Sequence, residues 1–371
     1  MSVRRYKELG TGTFFGELLY ERAVPQGHFL RELERVVDWT AFTEQLVTLY
    51  RGKGRVGRPP YDPAVILKML VVAFLYELSE RATEAYVNDS LSAKWFLGLA
   101  ADEAAPDHST LTAFKQRIIE GGSEEYLKAL LEEIIRQALE AGVTFGAIQV
   151  VDSTHTIADV NVAKDDQRRK KEGKPPRDGG AAWGAKGKKT VKDETGKKVR
   201  VTNHFYGYKA HVSMNAEAEM ITSVVVTPGN RTDGKQFPTL LERDQEQGLP
   251  TEIYSADRAY DDTDNHHRLE EAGLRSSLTL NDYRTQKKDA NKSVWVRMVA
   301  SEGYQAGQRE RYKIERKFGE AKACHGLGRC RYVGRMGYTL QVYLTAIVLN
   351  LKRMVRVSTG TSFRGRATAS A

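Results

Sequence analysis

The chain has 371 residues, 40% of them hydrophobic, and a net charge of +9, which gives apolar content for two cores and a bias toward polyanionic partners. Its longest unbroken apolar run, Met69–Tyr76, has eight residues against the ~20 of a membrane span, and Met1–Lys7 has no apolar stretch behind its charges, so neither a membrane-spanning helix nor a secretory leader is expected, and a cytoplasmic address is. Cys324 and Cys330 are the only cysteines; beside His325 they lack the second ligand pair of a zinc finger, and they read as reduced thiols packed near a helix end.

Residues 1–145 read as an all-helical domain. Leu33, Val36, Val37, Phe42, Leu46 and Leu49 recur near the helical period. A basic, glycine-rich turn follows over 52–60, with Lys53, Arg55 and Arg58. Pro63 sits in the first turn of a helix that is apolar almost all round, which predicts the buried centre of this domain. The helices around Pro106–Ile119 resemble a helix-turn-helix, with Ser109, Thr110, Lys115 and Arg117 as candidate DNA contacts. A last long helix ends at Gly142.

From Gly146 the pattern turns to strands. Ala147–Asp152, 204–215 and 220–227 read as three antiparallel strands. Helices over 234–246 and 262–272 then alternate with strands over 252–256 and 274–280, and an acid-bearing helix follows. That is the order of an α/β, ribonuclease-H-like mixed sheet flanked by helices, preceded here by the helical domain. The expected boundaries are 1–145, then a catalytic domain over 146–357, with 338–355 as a further apolar helix packed on its core. A disordered tail is expected over 358–371. Within the second domain, residues 164–200 hold 14 lysines or arginines against 6 aspartates or glutamates, so most of the chain's net charge of +9 arises here. Rich in glycine and proline, this insertion is expected to be a mobile loop that contacts phosphate backbones.

Three acids carry the candidate chemistry. Asp152 closes the apolar run Ala147–Val151, and Asp257 closes Ile253–Ala256. Arg311–Lys322 reads as one helix on which Arg311, Glu315 and Lys322 share a face at ~100° per residue. Two strand-end aspartates and a glutamate on a facing helix supply a bridging ligand, Asp152, and one terminal ligand, Asp257 or Glu315, for each of two Mg²⁺ ions. Arg311 and Lys322 are candidate phosphate binders. Glu320 lacks this relation to the cations, and Asp159, Asp233 and Asp261 read as structural.

These motifs resemble those of the DDE transposases of bacterial insertion sequences, in the group with the Y-R-E-K signature: tyrosine, two residues, arginine, three residues, glutamate, six residues, lysine. Arg311, Glu315 and Lys322 fit that spacing, while Gln308 stands at the tyrosine position, with Tyr304 and Tyr312 nearby. Val150–Thr154 resembles the family's first-aspartate motif and Ser255–Asp261 its second. Gly57–Pro63 through Pro106–Leu111 resembles the helical N-terminal domain of one branch. The likeness spans residues 15–355.

The resemblance implies binding to terminal inverted repeats, cleavage at the element's ends and joining of the 3′ hydroxyls to target DNA. It further implies Mg²⁺ with Mn²⁺ as a substitute, a synaptic homodimer, and work in the bacterial cytoplasm at the nucleoid. Some relatives flip a base onto an aromatic residue, for which Trp183 is the candidate here, with Lys186, Lys188 and Lys189 as neighbouring DNA contacts. The alternatives are a catalytically silent DNA-binding descendant and a ribonuclease-H-like nuclease without strand transfer.

Overall fold

Asp62 and Pro63 start the helix around which the N-terminal unit is built: the Asp62 carboxylate accepts from the Ala64 amide at 2.8 Å, and Pro63 takes the first helical position. The computed structural model describes residues 6–10, 14–50, 59–121, 124–192, 196–286 and 289–363; the basic turn residues Lys53, Arg55 and Arg58 lie outside them. Two compact units result, one comprising Met1–Val143 with Tyr343–Ala371, the other Thr144–Val342.

The first unit holds α1 (Phe14–Ala23), α2 (Phe29–Val36), α3 (Thr40–Leu46), α4 (Pro63–Leu75), α5 (Glu80–Asp89), α6 (Leu91–Leu97), α7 (His108–Glu120) and α8 (Glu125–Glu140). Every residue of α4 is buried, and its one charge, Lys68, meets Glu34 at 2.6 Å. Between α6 and α7 lie residues 98–107, far longer than the 3–4-residue turn of a helix-turn-helix. Instead, α7 packs against α5: Lys115, expected to contact DNA, is buried and paired with Glu80. A lysine on a polar-looking helix face finds its partner 35 positions upstream.

The second unit runs β1 (Ile148–Ile157), α9 (Val162–Glu172), β2 (Ala182–Lys192), β3 (Lys198–Asn215), β4 (Met220–Pro228), α10 (Phe237–Glu246), β5 (Ile253–Ala256), α11 (Thr263–Glu271), β6 (Arg275–Leu278), α12 (Lys292–Ala300), α13 (Glu302–Glu310) and α14 (Tyr312–Cys324). Its six strands are ordered β2-β3-β1-β5-β6, with β4 also on β3. β1 pairs antiparallel with β3 and parallel with β5, and β5 parallel with β6. This is the expected ribonuclease-H-like mixed sheet. Helices α10 and α11 close a core of Val151, Phe237, Leu240, Tyr254, Leu269 and Leu278, each such side chain contributing roughly 1.5–3 kcal/mol by leaving water.

α13 lies close on β5 and β6, because a Cβ on Gly307 would stand 2.5 Å from Ser277 Oγ; that hydroxyl donates to the Tyr304 carbonyl at 2.7 Å.

Two expectations change. Among its described residues the 164–200 insertion is a helix and the two strands of a hairpin, with the Gly/Pro-rich 173–181 between α9 and β2 irregular. Pairs three apart, Arg168 with Asp165 and Arg169 with Asp166, support α9. The hairpin's base is clamped by Asp178, which accepts from the Tyr208 hydroxyl while its carbonyl accepts from Tyr206. The helix expected over 311–322 is α14, with Arg311 at its N-cap, and a separate helix, α13, precedes it; the two meet at Arg311, whose φ of −58° and ψ of −34° are themselves helical. Finally, α15 runs over Arg335–Thr359, its residues from Tyr343 belonging to the first unit, and the Phe363 ring packs 5.1 Å from Phe29 and 5.2 Å from Tyr76. The expected tail thus has packed residues at its start, and 364–371 lie outside the described residues.

Candidate active site at the strand ends

β1 and β5 run side by side, their last paired residues being Val151 and Ala256. The next residue on each is an aspartate, so the parallel register sets Asp152 and Asp257 abreast at a strand spacing of about 4.8 Å. There β5 ends, and Asp257 caps a 3-10 turn over Arg258–Tyr260 by accepting from the Ala259 amide at 2.9 Å. β1 continues to Ile157 along β3, with an isolated bridge from Ile157 to Arg329. Asp152 is therefore mid-strand, beside the point where its neighbour turns away.

Glu315 is exposed in the first turn of α14, which packs on β1 through a face that buries Ile314, Phe318 and Ala321. The Asp152 carboxyl is pushed up to about 7, chiefly by burial; the Ser153 amide, donating at 2.7 Å, opposes this. The negative charges of Asp257 and Glu315 add to it, and the positive charge of Arg311 opposes it. All three acids and Arg311 therefore share one electrostatic field.

Arg311 is half-buried: Nη1 donates to Thr279 Oγ1 at 3.3 Å, and Nε is buried with no hydrogen-bond partner among the described residues. Lys322, half-buried in the last turn of α14, is held below the usual lysine range by burial and by Lys186 of β2. His155 on β1 is lowered to about 4 by burial, then by Lys322, Lys186 and Lys209. The motif reading missed His155 and Thr279, whose contacts are with residues distant in sequence, and it left Gln308 without a role.

In the hairpin, Trp183 is 56% exposed with its ring 5.6 Å from Tyr206. Lys186 and Lys188 are exposed on either side of a bulge at Gly187, whose φ is +58°. The Lys189 side chain lies outside the described ones. In the first unit, exposed Ser109, half-buried Thr110 and exposed Arg117 line a cavity of about 750 Å³, with the Arg117 guanidinium 5.0 Å over the Tyr50 ring.

Among the described residues, the one trio of ligand atoms within 4.8 Å of one another is Glu84, Asp107 and His108. There Glu84 accepts from the His108 backbone at 2.9 Å and meets its ring at 2.7 Å, which fastens the start of α7. The oxygens of Asp152, Asp257 and Glu315 do not all fall within that distance. Ions ~3.5–4 Å apart with metal–oxygen contacts of about 2.1 Å reach terminal ligands up to about 8 Å apart. Asp152, Asp257 and Glu315 are all hard oxygen donors, the kind a divalent ion takes.

Among solved structures the chain is similar to a piggyBac transposase in its synaptic complex with hairpin DNA. The identity is 10% and the TM-score 0.40, over 92% of this chain and 76% of that one. A transposase domain model matches residues 18–117, and a transposase DDE domain model matches residues 147–351. The second match alone spans more than half the chain, and the protein belongs to the DDE transposases, DNA-cleaving and DNA-transferring enzymes that generally use divalent metal.

Proposed function

We propose that this transposase binds the terminal inverted repeats of its insertion sequence, cleaves DNA at the element's ends and joins the 3′ hydroxyls to target DNA. The working ion is Mg²⁺, with Mn²⁺ as a substitute. One observation carries the reading: the β1/β5 register sets Asp152 beside Asp257, in a field shared with Glu315 and Arg311. Asp152 serves as the bridging ligand, Asp257 and Glu315 as the terminal ones. Bound there, a pair of ions supplies an activated oxygen nucleophile and neutralises the charge of the transferring phosphate.

The remaining work falls to the chain. Arg311 and Lys322 hold backbone phosphates on either side of the scissile bond. Lys186, Lys188 and Lys189 track the backbone, and Trp183 offers a stacking face for an unpaired base. The helical residues 1–145 bind DNA through Ser109, Thr110 and Arg117, with Lys115 withdrawn by its pairing with Glu80. Two copies hold the two ends in synapsis, in the bacterial cytoplasm at the nucleoid.

The test is nicking of terminal-repeat DNA with Mg²⁺ by wild type, Asp152→Ala and Glu315→Ala. Each substitution is expected to lower the rate by on the order of 10³-fold, the several kcal/mol that metal assistance supplies. Equal rates in all three exclude this site. Binding without cutting by the wild type identifies a silent descendant, and cutting without transfer of pre-cut 3′ ends identifies a nuclease.

A further inference from the structure

Where relatives carry the signature tyrosine, this chain has Gln308, on the last turn of α13 and three residues before Arg311. The spacing puts both on one helical face, toward the end of β6. The Gln308 amide donates through Nε2 to the Ser277 carbonyl, and its Oε1 stands 3.0 Å from Thr279 Oγ1. That hydroxyl has one proton and two acceptors in reach, Gln308 Oε1 and the Ala256 carbonyl at 3.1 Å, and it accepts from Arg311 Nη1 at 3.3 Å. Ala256 is the residue before Asp257. Thr279 thus joins the strand end that carries one metal-ligand candidate, the helix before the joint, and the arginine after it.

Arg311 is not arranged for its own stability. One nitrogen is tied to a neutral hydroxyl and another is buried without an acceptor among the described residues, a cost that folded proteins mostly avoid and that is found at functional sites. The amide suits this junction, since its donor and its acceptor are on separate atoms that reach two partners, whereas a tyrosine hydroxyl offers both from one oxygen.

We propose that Thr279 and Gln308 are positioning residues that aim Arg311 at a DNA phosphate beside the three carboxylates, with Gln308 replacing the signature tyrosine as a latch rather than as a DNA contact. The proposal rests on the reading of Arg311 as a phosphate binder. Thr279 fixes where the guanidinium lies relative to Asp257; Gln308 fixes Thr279.

A double-mutant cycle on end cleavage, with the ¹⁵N resonances of the arginine side chains as a second readout, tests this. Thr279→Val removes the hydroxyl at nearly constant volume and is expected to slow cleavage about tenfold, the worth of one hydrogen bond to a charged group. In an Arg311→Ala background the same change is expected to have no further effect. Thr279→Ser restores most of the loss. Gln308→Met gives a smaller loss that also vanishes without Arg311.

The Nε resonance of Arg311, assigned by its absence in Arg311→Lys, shifts in Thr279→Val and Gln308→Met and stays put in Thr279→Ser. An equal slowing by Thr279→Val with and without Arg311, or an unmoved resonance, overturns the proposal. Should the wild type fail to cut while the resonance moves as described, the latch stands and the assigned activity falls. Should Thr279→Val not fold, Gln308→Met carries the same cycle and the same spectrum.

Discussion

The strand-end site and the basic hairpin belong to one sheet but are held in opposite ways. Asp152 and Asp257 take their positions from the backbone ladder between two buried strands, and the turn after Asp257 is fixed by further buried polar contacts. The hairpin is fastened mainly at its base, through Asp178 and through Gly184, where a Cβ would stand 2.4 Å from the Gly229 carbonyl; beyond that it projects Trp183, Lys186 and Lys188 into solvent. A change near the carboxylates should therefore register in stability and chemistry together. A change on the hairpin's exposed face should register in DNA binding alone.

The most damaging way to break the first half of that contrast is through Asp261, four residues after Asp257. Its side chain is fully buried and accepts from the Asn281 amide at 2.7 Å and from Arg284 Nε at 2.6 Å, with His266 Nε2 at 3.0 Å. Burial pushes the carboxyl up, but the hydrogen bonds from His266 and Asn281 and the charge of Arg284 outweigh it and hold the group below the usual range. Asp261→Asn leaves Arg284 buried without its counter-charge and is expected to cost about 3–5 kcal/mol in denaturant unfolding. A folded-state carboxyl below its unfolded value stabilises at neutral pH, and that contribution disappears as pH falls through the folded value. The gap between wild type and variant should accordingly close below about pH 4. A gap that persists at acid pH would assign the loss to packing instead.

A smaller effect is expected at Gly307, where α13 meets the sheet. A methyl group there overlaps Ser277, so Gly307→Ala must lift the helix, at roughly 1–3 kcal/mol. Gly319 in α14 is the control: nothing lies within 4 Å of its would-be Cβ, and Gly319→Ala should be neutral or stabilising by up to about 1 kcal/mol. Because α13 leads into Arg311, cleavage by Gly307→Ala should fall further than its melting temperature alone accounts for. Thermal melts beside cleavage rates for the two alanine variants decide this, and matching behaviour of the two would mean that the α13 contact is loose.

What could be read from the chain follows the same division. The elements that carry Asp152, Asp257 and Glu315 were legible because hydrophobic runs and a helical period announce them, and the strand order followed from those elements. Helix α13 was less legible, since Glu302–Glu310 is mostly polar and holds two glycines, Gly303 and Gly307. Lys115 looked like a surface cation because its partner Glu80 is on another helix. The insertion looked like a loop because its glycines and prolines were averaged over the whole stretch, although many of them crowd into 173–181, between a helix laced by close ion pairs and a strand. Composition sees charge and flexibility, whereas register and long-range pairing require the fold.

The smallest effect sharpens the other half of the contrast. Lys186 and Lys188 flank the hairpin bulge as exposed cations, and Lys186 adds its charge to the field that lowers Lys322 and His155. If each meets a backbone phosphate, the paired change Lys186→Ala and Lys188→Ala should reduce the slope of log affinity against log salt by about 0.9 per lost contact. It should do so equally for terminal-repeat and unrelated DNA, since phosphate contacts carry no sequence information. The melting temperature should not fall, because removing two neighbouring like charges relieves repulsion rather than breaking a contact. Binding isotherms at several salt concentrations with both DNAs measure the slope. An unchanged slope would remove the hairpin from the DNA interface, and a lowered melting temperature would show that its lysines are tied into the fold as firmly as the carboxylates are.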